Sequence, residues 1–380
     1  MAKTGPVTIV IIGASFAGLQ VAHGLLKSLP NQIKVVLINP SDKWYFNIAA
    51  PRIFAKQTAF DSNQYLVPFP KSFAKYPNGS FEFIKGSATH IDTASKTVTV
   101  SSPQGVNVTY DHLVIASGSS TSSSTQGTPV PFKPTGSDNL ESAIRNAQKT
   151  ISDAKSVIIG GAGPIGVEFA GELAEAWAGR SGTSITLVSS TPYVLPMLKE
   201  SAGRAAEKLL AKHNVKVVKN NKVVEAVQQA DGERQWIVSL DDGKKLKADL
   251  YISTTGATPN NDFIPAEFLS PDGWVNVDGH FRVGQQPIYA VGDITTQPIR
   301  TSLKVAEQIP IVVANLKADV LRRGKHPVYA ANQKMMMLVP VGASSGTGQM
   351  MGMVPWGKMV AMIKGKDFFV SKAPAMVGLA

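Results

Sequence analysis

Two glycine-rich runs hold the residues whose types and spacing most directly imply chemistry. The first covers 7–18, with Gly13, Ala14, Ser15, Phe16, Ala17 and Gly18 at its end, and the second covers 156–168 and holds Gly161, Gly163, Pro164, Ile165 and Gly166. In each, an apolar strand-like run passes through small residues into a helix-like stretch. Gly13 and Gly161 permit the tight turn, and Gly18 and Gly166 let the helix pack against the strand. Free backbone N–H groups at such a helix start carry about +0.5 charge and bind a pyrophosphate. One such turn suggests one dinucleotide. Two suggest a pair of dinucleotides held face to face, which is what passing electrons from a nicotinamide to a flavin requires.

The two turns differ in detail. Ser15 stands where the fingerprint has its middle glycine, and a small hydroxyl is tolerated there. The strand over 34–38 ends at Asn39, where an acid would accept ribose hydroxyls; Asn39 bonds them without charge. The second turn is a full match. Glu168 falls on the first turn of its helix, where it either complements the helix dipole or faces the nicotinamide–flavin contact as a catalytic residue. The strand over 184–188 ends at Ser189-Ser190 with no acid, and Arg180 lies shortly before it. The choice between NADH and NADPH stays open, with a lean to NADPH or dual use.

These turns must be positioned by larger units, and the sequence repeats those as well. Asp111 precedes Gly118 across an apolar strand, and Asp249 precedes Gly256 at the same spacing. The pattern predicts an α/β chain with two Rossmann-like, doubly wound parallel sheets, one inserted in the other. Residues 1–120 and 276–325 form the first nucleotide-binding domain, because the strand ending at Gly292-Asp293 reads as a return to it. The Ser/Thr/Pro-rich stretch 119–136 reads as a surface connection, and a helix over 139–154 follows; together 121–150 join the halves. Residues 151–275 form the second nucleotide-binding domain, and 326–380 a small α+β domain.

Composition removes several alternatives. The 380 residues contain no cysteine, which excludes a dithiol redox centre, a thiolate metal site and a disulfide scaffold; no metal site is expected. Electrons that enter must leave directly from a cofactor. No apolar stretch reaches the roughly 18 residues of a membrane span. The start runs straight into a strand without a secretory signal, and position 2 lacks the glycine of myristoylation, so the expected address is cytoplasmic. The formal charge is +11, and from Arg300 onward 11 Lys and Arg residues stand against three acids. That end is either an ordinary solvated face or one that approaches anionic phospholipid on an intracellular membrane; nucleic acid is the weaker option.

The two turns, the Gly292-Asp293 pair and the missing cysteines resemble the flavoprotein pyridine-nucleotide oxidoreductases. Local matches at 45–52, 161–172, 255–260 and 367–371 are most similar to the apoptosis-inducing-factor-like, ferroptosis-suppressor-type NAD(P)H:quinone oxidoreductases, fungal members in particular. The resemblance covers nearly the whole chain. It implies non-covalent FAD on the first turn, with Arg52 near its phosphate–flavin portion, the main chain around Ala88 at the adenine, and Gly118, Gly292 and Asp293 lining the cofactor. Asp293 would accept a ribityl hydroxyl. NAD(P)H falls to the second turn, with Ser189 beside it. Lys304 either reaches the flavin ring or a bound quinone, or is an ordinary surface lysine. The implied reaction takes hydride from NAD(P)H to the flavin and electrons on to a quinone. Competing readings are a tailoring oxidoreductase on a soluble metabolite and a flavin-bearing scaffold that binds DNA or protein through the basic end. The stretch 356–370, aromatic and aliphatic residues interleaved with lysines, suits either a peripheral membrane contact or a core-packing helix. The run Met335–Met337 reads as core. Oligomeric state is left open.

Overall fold

The computed structural model describes residues 5–101, 105–122, 127–133, 139–229, 235–332 and 334–379. Val7–Ile12 is the centre of a five-stranded parallel sheet whose order is Ile288–Ala290, His112–Ile115, Val7–Ile12, Ile33–Asn39 and Phe81–Lys85. Its β-branched residues serve both faces. Ile9 and Ile11 enter the large core, whereas Val10 and Ile12 enter a second cluster, and all four are buried. A strand covered on both sides has no polar face to show, and so it reads as a continuous apolar run. On one side the helices Phe16–Ser28 and Ser302–Leu321 pack so closely that a Cβ at Gly24 would lie 2.9 Å from Val313.

A second parallel sheet orders Val215–Val218, Ser184–Val188, Ser156–Gly160 and Leu250–Ser253. The repeated aspartates now have a physical role. Asp111 Oδ2 accepts the Thr8 N–H at 2.7 Å, and Asp249 Oδ2 accepts those of Lys155 and Ser156 at 2.7 and 3.0 Å. Each carboxylate thus ties the start of a neighbouring strand to the strand that carries the glycine turn. Each half also carries a three-stranded antiparallel meander, one over Ser87–Asp92, Thr97–Ser101 and Val106–Thr109, the other over Val223–Gln228, Trp236–Leu240 and Lys245–Ala248.

The halves are joined where Ser119–Thr121 pairs antiparallel with Ala257–Pro259. The stretch 119–136, read from its composition as a surface connection, lies partly outside the described residues. What is described departs from that expectation. Val130 and Phe132 are buried, and the Phe132 ring sits edge-on between Phe54 at 5.3 Å and Phe169 at 5.4 Å. Two apolar residues in a polar run are enough to plug the seam between halves. The helix Leu140–Asp153 follows. The carboxyl-terminal part opens with a hairpin, Met337–Pro340 against Gly346–Gln349, and continues into a short helix, Gly357–Val360. Among the described residues no helix is long and apolar enough to cross a membrane, and no cluster of ligating side chains suits a metal.

Candidate active site

Both turns are built the same way. Gly13 donates its N–H to Ile38 at 2.9 Å and Gly161 to Val188 at 3.0 Å, so each turn rests on the strand beside its own. A Cβ on Gly18 would lie 1.8 Å from the Gly13 carbonyl oxygen, and one on Gly166 2.0 Å from that of Gly161. Neither position admits a side chain. Gly163 is different, because a Cβ there meets nothing nearer than Met197 Cε at 3.9 Å. The space in front of Gly163 is open, which is the cradle a pyrophosphate needs. Ser15 and Gly163 are the extended residues that start the two helices, and neither has a side-chain cap bond. Phe16 follows Ser15, with its ring edge-on to Trp44 at 4.9 Å, and Ala17 is buried beneath it. Pro164 begins the second helix, and Ile165 packs on the core.

The structure gathers Asn39, Gly118, Gly292 and Asp293 around the first turn or its adjoining strands. Asn39 Oδ1 accepts the Ala14 N–H at 2.9 Å, while its Nδ2 donates to the Ser41 carbonyl at 2.7 Å. Gly292 approaches the first helix so closely that a Cβ there would sit 3.2 Å from the Ala17 methyl, and its N–H donates to buried Gln308 Oε1 at 2.8 Å. Asp293 Oδ2 accepts from the Ser119 hydroxyl at 3.1 Å and is ion-paired with Lys133. Arg300 holds the same segment, donating to the Asp293 carbonyl at 3.0 Å with its guanidinium 3.5 Å from the Trp274 ring. Gly118 takes a left-handed conformation, φ +68°, and its carbonyl accepts the Asn260 N–H. Ala88 pairs with Val100 in the first meander and packs against the cluster of Val10 and Ile12.

Lys304 is not an ordinary surface lysine. It is buried, and its ammonium donates to both oxygens of Glu307 at 2.8 and 2.9 Å. Glu307 also accepts the Tyr329 hydroxyl at 3.1 Å, and burial together with that carboxylate pushes the Tyr329 pKa up to about 12. Ser189 is buried, with its hydroxyl turned into its own loop toward the Thr191 carbonyl and hydroxyl at 3.2 and 3.0 Å.

The helix Pro164–Ala176 has no acid in its first turn, where Glu168 was expected; Glu168 lies a turn further on and is buried, as is Glu172. Glu168, Glu172 and Glu175 follow at helical spacing on one face, and each meets a cation from another part of the chain. Lys364 donates to Glu168 Oε1 at 2.6 Å. Arg52, from the helix Ala50–Ala55, holds Glu172 with two bonds at 2.8 and 2.7 Å. Lys56 reaches Glu172 at 2.8 Å and also pairs with Glu175. The third Arg52 nitrogen donates to the Lys366 carbonyl at 2.9 Å, and its guanidinium lies 4.7 Å from the Phe368 ring. Arg52 therefore aims its charge at Glu172. Burial pushes the Glu168 pKa up, and the Lys364 charge only partly offsets it.

Lys133, Lys364, Glu172, Lys56 and Gln308 were not singled out from sequence as site residues. A signal existed for the seam: acids at i, i+4 and i+7 on a helix otherwise lined with buried apolar residues require cations opposite them. Nothing local marked Lys133 or Gln308, whose partners lie far along the chain.

Two glycine turns with open helix starts, each at the carboxyl edge of a parallel sheet, define a two-dinucleotide flavoenzyme. The residues present fit both cofactors. The open cradle at Gly163 and the uncapped helix starts are donor sets for pyrophosphates, and Asp293 is a carboxylate brought to the first turn. Residues 7–313 match the pyridine nucleotide-disulphide oxidoreductase family, and the chain belongs to it. It is 36% identical to "Oxidoreductase ptaL" of Pestalotiopsis fici over 97% of this chain and 98% of that one. It is 27% identical to "Ferroptosis suppressor protein 1" of Taeniopygia guttata over 98% and 96% of the two chains. The sulfide:quinone oxidoreductase of Aquifex aeolicus shares the fold, with a TM-score of 0.76 at 19% identity over 98% and 93% of the two chains. The protein is an oxidoreductase that uses FAD and NAD(P)H.

Proposed function

We propose that this enzyme passes electrons from NAD(P)H to a quinone-type acceptor, with FAD on the turn at Gly13 and NAD(P)H on the turn at Gly161. The observation that carries the reading is the absence of any cysteine in a fold whose family is named for a disulphide. Without a dithiol relay the acceptor must be met by the flavin itself, and a small conjugated molecule suits that contact. When bound, FAD supplies the hydride acceptor for the nicotinamide and the electron donor for the quinone. Asp293, held through Oδ2 by Ser119 and Lys133, would accept a ribityl hydroxyl of FAD. The Arg52–Glu172 pair holds the helix of the second turn against the first half and would so position one nucleotide relative to the other. Glu168 Oε1 and Lys364 Nζ share a hydrogen bond in a dry site, a pair able to hold the proton that quinone reduction consumes. Met351, Met353, Trp356 and Met362 are 68–82% exposed beside Lys358, which supports peripheral contact with a membrane that stores an apolar acceptor.

Anaerobic titration tests the reading. NADH or NADPH should bleach the flavin absorbance, and a short-chain quinone should restore it stoichiometrically. Bleaching that a soluble acceptor reverses and quinones do not would assign the enzyme to soluble metabolites instead. Purified protein with no extractable flavin would refute the cofactor assignment.

A further inference from the structure

The strand Ser184–Val188 ends without the carboxylate that would accept the two hydroxyls of an adenosine ribose, and the structure puts a cation there instead. The segment 218–222 is zipped onto that strand end. Ser189 donates its N–H to the Val218 carbonyl at 2.8 Å, Asn221 to Ser189 at 3.0 Å, and Asn220 to Thr191 at 3.3 Å. This brings Lys222 beside Ser190. Both line one cleft of about 770 Å³ that also takes in Gly161, Asn221 and Thr255. The Lys222 main chain is pinned by Asp241, whose Oδ1 accepts its N–H at 2.9 Å. Its ammonium has no carboxylate partner among the described residues, whereas neighbouring Lys219 is paired with Glu207 at 3.1 Å. Asn221 is buried with its Oδ1 lacking any partner.

The other cation near this strand is already committed. Arg180 donates to the Ser152 and Ala154 carbonyls at 3.2 Å each and lies over the Trp177 ring. It is spent on closing the end of the helix Leu140–Asp153 and is not available to a ligand.

We propose that Lys222 and Ser190 form a phosphomonoester site for the adenosine 2′-phosphate, which makes NADPH the preferred reductant. The proposal rests on the second turn being the NAD(P)H turn, and it adds the identity of the nucleotide. An ammonium and a hydroxyl at the ribose edge can both donate to a dianion, and the strand end offers a free diol no carboxylate. The carboxylate on the cleft wall, Glu225, lies on the strand Val223–Gln228 just past a register shift. Were it the ribose-reading acid, preference would run toward NADH.

Calorimetry with adenosine 2′,5′-bisphosphate against ADP tests the site without any turnover. The bisphosphate should bind at least about tenfold more tightly, since a charged hydrogen bond to phosphate is worth that much. Equal affinities, or tighter ADP, would overturn the proposal even if the flavin is reduced normally. In stopped-flow flavin reduction, Lys222→Glu should lower the kcat/KM ratio of NADPH to NADH at least tenfold, and Ser190→Asp should move it the same way. An unchanged ratio in both variants would refute the site. Failure of either nucleotide to reduce the flavin, with the bisphosphate still bound more tightly, would keep the site and remove the reductase reading.

Discussion

The two glycine turns share one backbone plan and are secured by opposite means. Gly13 and Gly161 have φ of +104° and +105°, and both following helices pack against the turn carbonyl through a glycine. Aligned on those glycines, Glu168, Glu172 and Glu175 of the second helix stand where the first has Gln20, Gly24 and Lys27. The first turn is fixed by neutral contacts from its own half: the Asn39 amide on Ala14 and the Gln308 amide on Gly292. The second helix is strapped by Arg52, Lys56 and Lys364, none of which belongs to its own sheet. A shared backbone is enough to offer amides to a pyrophosphate. The side chains decide whether the nucleotide sits in a self-contained half or in one held in place by its neighbours. The second half is therefore the one whose position depends on charge.

The most disruptive way to test that contrast is to break the strap. Glu172→Leu leaves the buried Arg52 guanidinium unpaired and should cost about 3–5 kcal/mol of stability in urea unfolding. Arg52→Met combined with Glu172→Leu should recover most of the loss, because no buried charge is then left alone. A single variant within about 1 kcal/mol of the parent would show that the seam carries little of the fold.

The next effect separates the turns themselves. Gly163→Val fills only the open space before the second helix. It should slow flavin reduction by about 100-fold through nucleotide misplacement while leaving FAD and Tm nearly unchanged. Gly18→Ala drives a methyl into the Gly13 carbonyl, and it should lose FAD together with stability at the upper end of the roughly 1–3 kcal/mol of overpacking. Loss of FAD in Gly163→Val would show that the nucleotides sit the other way round. Absorbance of the purified variants reads both outcomes.

What could be read in the sequence follows the range of the interactions. The strands, both turns and the paired aspartates were legible because each is a local pattern set by backbone geometry. The return of Ile288–Ala290 to the first sheet was legible from the apolar strand that ends at the Gly292-Asp293 pair. Less visible were the partners. Lys364 read as part of an amphipathic stretch, and its partner Glu168 lies far along the chain. Phe132 sat in a polar run that suggested surface, and its burial depends on Phe54 and Phe169, far away in the chain. Arg52, assigned by resemblance to the flavin side, faces Glu172, a relation that spacing alone does not encode.

A smaller effect compares the two strand ends. Asn39→Ala removes a side chain that ties the first glycine turn to the loop at Ser41, and Ser189→Ala one that stitches its own loop; each should cost about 1 kcal/mol. Ser189→Ala should leave KM for NAD(P)H unchanged, because its hydroxyl is turned inward to Thr191. A severalfold rise in that KM would make the hydroxyl a cofactor ligand and the two strand ends unlike in role.

A last contrast is one of pH. His23, on the first helix, stacks on Phe73 at 4.1 Å and meets the Val377 carbonyl at 3.1 Å, so it anchors the carboxyl-terminal tail. Its counterpart on the second helix is Gly171, pressed against Val341, where a Cβ would lie 2.8 Å from that residue's Cα. Burial lowers the His23 pKa to about 4. The unfolded chain takes up a proton near pH 6.5, whereas the folded ring resists until about pH 4. The stabilisation is therefore complete above pH 6.5 and fades as the pH falls through that window. Tm should drop between these values, and His23→Phe, which keeps the stack on Phe73 and cannot charge, should flatten the drop. An identical pH profile in the variant would place the acid sensitivity outside the first helix and leave the two helices alike in this respect.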